Sequence, residues 1–236
     1  MNLEILPVRL AGAAENMAID FLLLQRYPRA GSARFRHYGW RAPAYTFGFS
    51  QKIAFVRSQI SSEEVPELCR RPTGGGLVDH RHDWTYALVI PRGHRWEEQR
   101  ALQSYRAIHA ALAAALIVQG VPAEIQAVAP ADDLSVGPSV CFQRAELYDV
   151  VHALSGEKIA GAAQKRNKNG LLFQGSIGRA AAGSAVDWEL FHGDFCARLA
   201  TALETEAAPT PWPEFHEDEV SGLVEQYASS DWIDYR

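Results

Sequence analysis

The chain is short of everything that would mark it as exported or membrane-bound. Three cysteines in 236 residues, Cys69, Cys141 and Cys196, are too few and too odd in number for a disulfide-stapled secreted scaffold. The longest apolar run, residues 110–118, falls far below the roughly 20 residues that span a bilayer. The first residues include Glu4 and Pro7 and lack the basic flank and apolar stretch of a signal peptide. A cytoplasmic protein with no membrane partner is therefore expected. Positive charge is scarce too: 23 Lys+Arg stand against 28 Asp+Glu, a net charge of −5, which argues against nucleic acid as a partner. No G-x-x-x-x-G-K-[ST] phosphate loop, G-x-G-x-x-G turn, G-x-S-x-G elbow or C-x-x-C pair occurs. The common nucleotide, hydrolase and zinc-ribbon readings lose their support.

What is present is a globular balance, 47% hydrophobic and 22% charged, in a length that suits one domain with a sizeable core. Met17, Phe21 and Leu24 fall three or four apart and predict a helix over residues 14–27, closed by Pro28 and Gly31. Alternation predicts a strand at 34–38, followed by an aromatic loop-strand segment with Trp40, Tyr45, Phe47 and Phe49. Residues 85–90 read as a short apolar strand stopped by Pro91. The clearest helix spans 96–119, with Leu102, Tyr105, Ile108, Leu112 and Leu116 on one face and Gly120 at its cap. Residues 148–154 and 158–165 read as strands joined by a tight Ser155-Gly156 turn, and 171–177 as another. Helices are expected at 186–203 and 217–227, either side of Pro209, Pro211 and Pro213. Strands and helices mix without strict alternation, so an α+β layer is expected, as a single domain over residues 1–236.

Three segments can carry chemistry. In Arg70-Arg71-Pro72-Thr73-Gly74-Gly75-Gly76, the glycines permit φ > 0 and let backbone N–H groups approach a ligand. The flanking arginines would favour an anionic or polarised group, and the strand that follows is the rigid support binding loops use. The bland alternative is a solvated surface turn. Lys158, followed by Ile159-Ala160-Gly161-Ala162-Ala163-Gln164, puts an ammonium beside small residues that leave room for a pocket. It could polarise a carbonyl or hold a phosphate, or be an ordinary solvated lysine at a hairpin end. Cys141 as thiolate could attack an acyl carbonyl and carry a thioester. Cys69 and Cys196 read as small buried hydrophobes. His80-x-His82-Asp83 has no third distant ligand, so no metal site is expected.

Taken in order, these segments resemble the biotin/lipoate protein ligase and octanoyltransferase family. Asn16-Met17-Ala18-Ile19-Asp20 resembles its opening helix, and residues 38–51 its aromatic strand segment ending in Gly48-x-x-Gln51. Residues 70–80 are similar to the R-R-x-[ST]-G-G signature. Residues 158–164 are similar to K-[IV]-[AS]-G-[SA]-A, the motif with the essential lysine, and Gln174-Gly175-Ser176-Ile177 to the segment after it. The resemblance implies a mixed β-sheet packed by helices, with an acyl tunnel beside the glycine loop. It implies octanoyl or lipoyl groups destined for a carrier-domain lysine. It also implies substrate-binding roles for Arg71, Thr73, Gly74, Gly75, Gly76, His80, Gly161 and Ala162, and a catalytic role for Lys158.

Two chemistries occur in such a family. Lipoate–protein ligases use ATP and Mg²⁺ and pass through lipoyl-adenylate. Octanoyltransferases need no cofactor and move the acyl group from a carrier thioester through a cysteine. Cys141-Phe142 resembles the cysteine segment of the second branch, which makes Cys141 the expected nucleophile. Gly76 and Asp20-Phe21 are ligase-like departures. The transferase is the favoured reading, with the ATP-dependent ligase and a non-catalytic binder of lipoyl or acyl carriers as alternatives. The donor would be acyl carrier protein or an octanoylated carrier, and the acceptor a lipoyl domain or a glycine-cleavage H-type protein. Arg70, Arg71, Lys158, Lys165, Arg166 and Lys168 would form a basic rim that steers acidic carriers, and His80 or His82 could accept a proton.

Overall fold

The computed structural model describes residues 2–29, 31–61, 65–129 and 144–235. In chain order the elements are β1 (Asn2–Ala11), α1 (Ala13–Gln25), β2 (Ala33–Trp40), β3 (Ala44–Phe47), α2 (Ile53–Ser58), β4 (Glu67–Arg70), β5 (Val78–Asp79) and β6 (Asp83–Pro91). They continue with α3 (Arg95–Glu98), α4 (Ala101–Val118), β7 (Ala123–Ile125), β8 (Val150–His152), β9 (Lys158–Asn167) and β10 (Gly170–Gly178). The last are α5 (Arg179–Ala182), α6 (Trp188–Ala202), β11 (Glu206–Pro209), α7 (Glu217–Ala228) and α8 (Ser230–Ile233). The main sheet runs β11-β1-β2-β6-β10-β9-β8-β7, and a small sheet runs β4-β3-β5. β1 pairs in parallel with β2 and β11, and the main-sheet pairs from β2 through β7 are antiparallel. The mixed sheet and α+β class expected from the sequence are both present.

Alternation in the central strands sorts the two faces. Trp84, Tyr86, Leu88 and Ile90 of β6, with Leu171, Phe173 and Ile177 of β10, point into the core built with α4 and α6. Ala87, Val89 and Leu172 join the α1 side, and Thr85, Gln174 and Ser176 share that face by the period-2 rule. Both strands are buried along nearly their whole length, as expected for central strands covered on two sides. α1 lies between the two sheets, packing against β6 and β10 on one side and β3 and β4 on the other. That placement explains why it is buried nearly all round instead of showing a polar face.

The predicted strand at 171–177 and the helix at 14–27 lie within a few residues of β10 and α1. The long helix is a correction. Gln99 and Arg100 are extended, at ψ 151° and 144°, so 96–119 divides into α3 and α4, with Arg100 and Gln103 forming a reciprocal cap. Leu102, expected on the buried face, is 55% exposed and lines an open groove at the start of α4. α4 is long and apolar enough to cross a membrane, yet its inner face packs on α6 and the sheet. β1 and β11 were not foreseen: Pro7, Glu4 and Arg9 mask the alternation of β1, and β11 ends in the proline cluster.

Candidate active site

A narrow slot runs between the α1 face of the main sheet and the small sheet. It holds about 410 Å³ of empty space including its mouth, lined among others by Met17, Trp40, Val78, Ala162 and Gly175. At one end it shares Gly75, Ala162 and Ala163 with an open groove that contains Gly74, Gly76, Tyr105, Asp149 and Lys158.

Close packing shapes the glycine loop at that junction. Gly75 has φ +87°, and a Cβ there would lie 3.5 Å from the Ala163 methyl on β9, so the loop passes directly over the strand. Gly48 admits it from below, since a Cβ on Gly48 would meet the Gly75 carbonyl oxygen at 2.0 Å. Arg71 Nη2 donates to the Gly74 and Gly76 carbonyls at 3.0 and 2.8 Å, and Nη1 to Thr46 Oγ1 at 2.7 Å. Arg71 therefore lines the slot while bracing the loop from inside it. Thr73 is buried, its hydroxyl donating to Gln174 Oε1 at 2.7 Å, which ties the loop to β10.

His80 sits in the slot wall, stacked on Trp40 at 4.1 Å. Its Nε2 lies 2.6 Å from Thr46 Oγ1 and its Nδ1 2.7 Å from Asp83 Oδ2. Burial alone would raise the Asp83 carboxyl, but His80, Ser176 and Thr85 hold it below its usual value. Both ring nitrogens of His80 are thus engaged inside the slot wall. His82 lies on an outer groove with Arg81 and Arg179. Among the described residues no three His, Cys, Asp or Glu side chains come together as metal ligands would.

Lys158 is 7% exposed, unlike the solvated hairpin lysine that a bland reading gives. Its Nζ lies 2.7 Å from Asp149 Oδ2 and 3.5 Å from the Arg144 carbonyl. Asp149 is fully buried and also accepts from the Glu146 N–H at 2.7 Å and from Tyr105 Oη at 2.5 Å. Gly161 makes room for the pair. A Cβ there would stand 2.8 Å from Lys158 Nζ and 3.1 Å from Asp149 Oδ1, so the lysine lies back over its own strand in space that a side chain at 161 would take from it. The N–H of Ala162 donates to Tyr105 Oη at 3.0 Å.

The structure thus brings together Lys158, Gly161, Ala162 and the glycine loop, with Thr73, Arg71 and His80 in and behind the slot wall. Cys141, the expected nucleophile, lies outside the described residues. The expected basic rim is not assembled. Arg70 is fully buried, donating to the carbonyls of Phe49, Gln51, Trp232 and Ile233. Arg71 and Lys158 are buried too, Arg166 bonds the Glu97 carbonyl and Ser104, and Lys165 lies over the Phe49 ring. Cys69 and Cys196 are buried hydrophobes as expected. Burial pushes the Cys196 thiol up to about 12 and that of Cys69 higher still. Sequence reasoning missed Asp149 and Tyr105 as site residues. The available signal was an acid directly before the apolar pair Val150-Val151, and a tyrosine on the inner side of a long helix.

Octanoyltransferase LipM of Carboxydothermus hydrogenoformans is 34% identical over 166 residues, which cover 70% of this chain and 60% of that protein. The chain thus matches about 60% of the length of the first such relatives. The Symbiobacterium thermophilum octanoyltransferase LipM is 28% identical over 92% of this chain and 93% of its own. Among solved structures, lipoate-protein ligase A bound with ATP superposes with a TM-score of 0.74 at 15% identity, over 99% of both chains. The bi-partite lipoate protein ligase of Thermoplasma acidophilum gives 0.74 at 16%, over 100% of this chain and 98% of that one. At such identities these structures speak to fold alone. The model of the lipoyl protein ligase A/B catalytic domain matches residues 12–190, from the start of α1 to the first turn of α6, and the chain belongs to that family.

Proposed function

We propose that this protein is a protein-lipoylation acyltransferase, which takes an octanoyl or lipoyl group from a carrier thioester, holds it on Cys141 and passes it to a lysine of a lipoyl-type carrier domain. The observation that carries this reading is the buried ammonium of Lys158, set on Asp149 where an open groove meets an apolar slot. An acyl chain entering the slot, with its lining side chains moving aside to admit it, would carry its carbonyl at the junction beside the glycine loop and Lys158. The similarity to octanoyltransferases supports thioester chemistry over adenylation.

In the first step the Cys141 thiolate forms an S–C bond to the thioester carbonyl, and the carbonyl electrons move to oxygen. The Lys158 ammonium stabilises that oxyanion, which collapses by expelling the donor's thiolate. In the second step the neutral acceptor amine forms the C–N bond, the C–S bond breaks, and the amine's extra proton leaves as Cys141 regains its thiolate. A neighbouring cation eases the first charge state by lowering a thiol pKa from about 8.5. Loss of one preorganised oxyanion contact typically costs roughly 3–4 kcal/mol, or 10²–10³ in rate. The donor is acyl carrier protein or an octanoylated carrier. The acceptor is a lipoyl domain or glycine-cleavage H-type protein, a choice supported by the T. acidophilum ligase having been solved in a study with its E2 lipoyl domain.

The test is an intact-mass measurement after incubation with octanoyl-carrier thioester. A hydroxylamine-labile octanoyl adduct that disappears in Cys141→Ala supports the transferase. Lipoyl-adenylate formed from ATP, Mg²⁺ and lipoate, with no adduct and no effect of Cys141→Ala, rejects it in favour of the ligase. Saturable binding of a lipoyl domain without turnover in either assay leaves the non-catalytic binder.

A further inference from the structure

Under Lys158 lies a buried polar cluster that the two-step chemistry leaves without a task. Tyr105 Oη donates to Asp149 Oδ1 at 2.5 Å and accepts from the Ala162 N–H at 3.0 Å. One oxygen on α4 therefore joins the carboxylate that holds the lysine to the strand residue that lines both groove and slot. β8 stops pairing with β9 at the Val150–Ala160 pair, so beyond Ala160 no strand among the described residues flanks β9 on that side. Tyr105 supplies the acceptor that a longer β8 would have supplied. The turn carrying Asp149 is pinned as well: Tyr148 has φ +69°, a conformation a tyrosine rarely adopts, and its carbonyl is 2.7 Å from His109 Nδ1.

We propose that Asp149 and Tyr105 are positioning residues for Lys158: the carboxylate keeps the ammonium charged and over Gly161, and the phenol locks that carboxylate against Ala162. This rests on the acyltransfer reading for its effect on turnover, but the placement of the ammonium can be read without turnover. The other groups facing the pair are His109 on α4, Tyr86 on β6, and Arg144 and Glu146 in the turn. His109 is lowered to about 4 by burial and is neutral at working pH, with its Nδ1–H given to Tyr148. Burial, with the adjacent Asp149 charge, keeps the Tyr105 phenol protonated, and burial does the same for Tyr86. Between pH 7 and 9 the Cys141 thiol titrates as well, but its ionisation switches turnover on, on the acidic limb, so the alkaline limb and the labelling are the readouts that belong to Lys158.

The experiment uses the full chain with Asp149→Asn and Tyr105→Phe, each compared with wild type for octanoyl transfer against pH and for labelling of Lys158 by acetic anhydride, read by peptide mass. In Asp149→Asn the lysine loses its counter-charge. The expected results are a loss of about 10²-fold in kcat, an alkaline limb at least one pH unit lower, and faster Lys158 labelling at pH 8. Tyr105→Phe removes one oxygen and keeps the ring, so the fold is retained. A roughly ten-fold fall in kcat with KM for the acyl donor within two-fold is expected, with labelling intermediate between the other two proteins. If wild type transfers no octanoyl group, the acyltransfer reading fails while the labelling arm still tests the positioning. Labelling in both variants identical to wild type overturns the proposal. So does transfer with unchanged kcat and an unmoved alkaline limb.

Discussion

The two basic motifs look alike in sequence and do opposite things. Around the glycine loop, Arg70 and Arg71 are buried, and the hydrogen bonds described above run to carbonyls of neighbouring loops and to one threonine. On β9, Lys158 is equally buried but rests on a carboxylate beside an open groove. A guanidinium's fixed fork suits several carbonyls at once, and a compact ammonium suits a single oxyanion. The first motif builds a wall and the second brings a charge to it.

The sharpest way to break that contrast is Lys158→Ala. It should lower octanoyl transfer by about 10²–10³-fold, and also lower stability by roughly 3–5 kcal/mol because it strands the buried Asp149 carboxylate; undiminished transfer by the fraction still folded would make the lysine architectural. Next is Gly161→Ala. A methyl at 2.8 Å from Nζ must push the ammonium aside, and a displacement on that scale costs on the order of 10² in kcat. Steady-state kinetics with KM near wild type would confirm that geometry, not binding, was lost. Arg70→Met should act mainly on stability, by roughly 1–3 kcal/mol or more for leaving buried carbonyls without their donor, measured by urea denaturation. A fall in kcat with full stability would place Arg70 with Lys158 after all.

Acid sharpens the picture from another side. His109 and His37 are both held at about 4, chiefly by burial, against 6.5 when exposed. The unfolded chain then binds more protons between those values, so their contribution is complete above pH 6.5 and is lost as the pH falls toward 4. For His109 the difference corresponds to about 3 kcal/mol. Thermal melts of wild type and His109→Asn between pH 7 and 4 should show the smaller slope in the variant. The smallest expected effect concerns Cys69 and Cys196. With thiols raised to about 12 or beyond by burial, neither should react with iodoacetamide in the native protein, and labelling at neutral pH should concentrate on Cys141.

Much of this was legible before any coordinates. β10 and α1 showed because their periodicity is regular and their ends carry glycine or proline. Lys158, Gly161 and the glycine loop stood out through the family resemblance, since a glycine triplet or a lysine alone reads equally well as a solvated turn. Asp149 did not, since its meaning comes from Tyr105, some forty positions earlier and on another element. Nor did the inward turn of Arg70, because a charged residue reads as solvated until carbonyls from four distant positions are seen to surround it. The broken helix at Gln99 was hidden for a similar reason: no glycine or proline marks it.

Arg70 has one more implication. By gripping Phe49 and Gln51 with one side of its guanidinium and Trp232 and Ile233 with the other, it couples the last helix to the lip over the glycine triplet. Trp232 returns the grip through its indole N–H to the Arg70 carbonyl at 2.8 Å. Loosening α8, by cleavage or by a substitution at Trp232, would be felt some 180 positions upstream, at Gln51, so the shape of the lip over the glycine triplet is held in trust by a segment far from it in sequence.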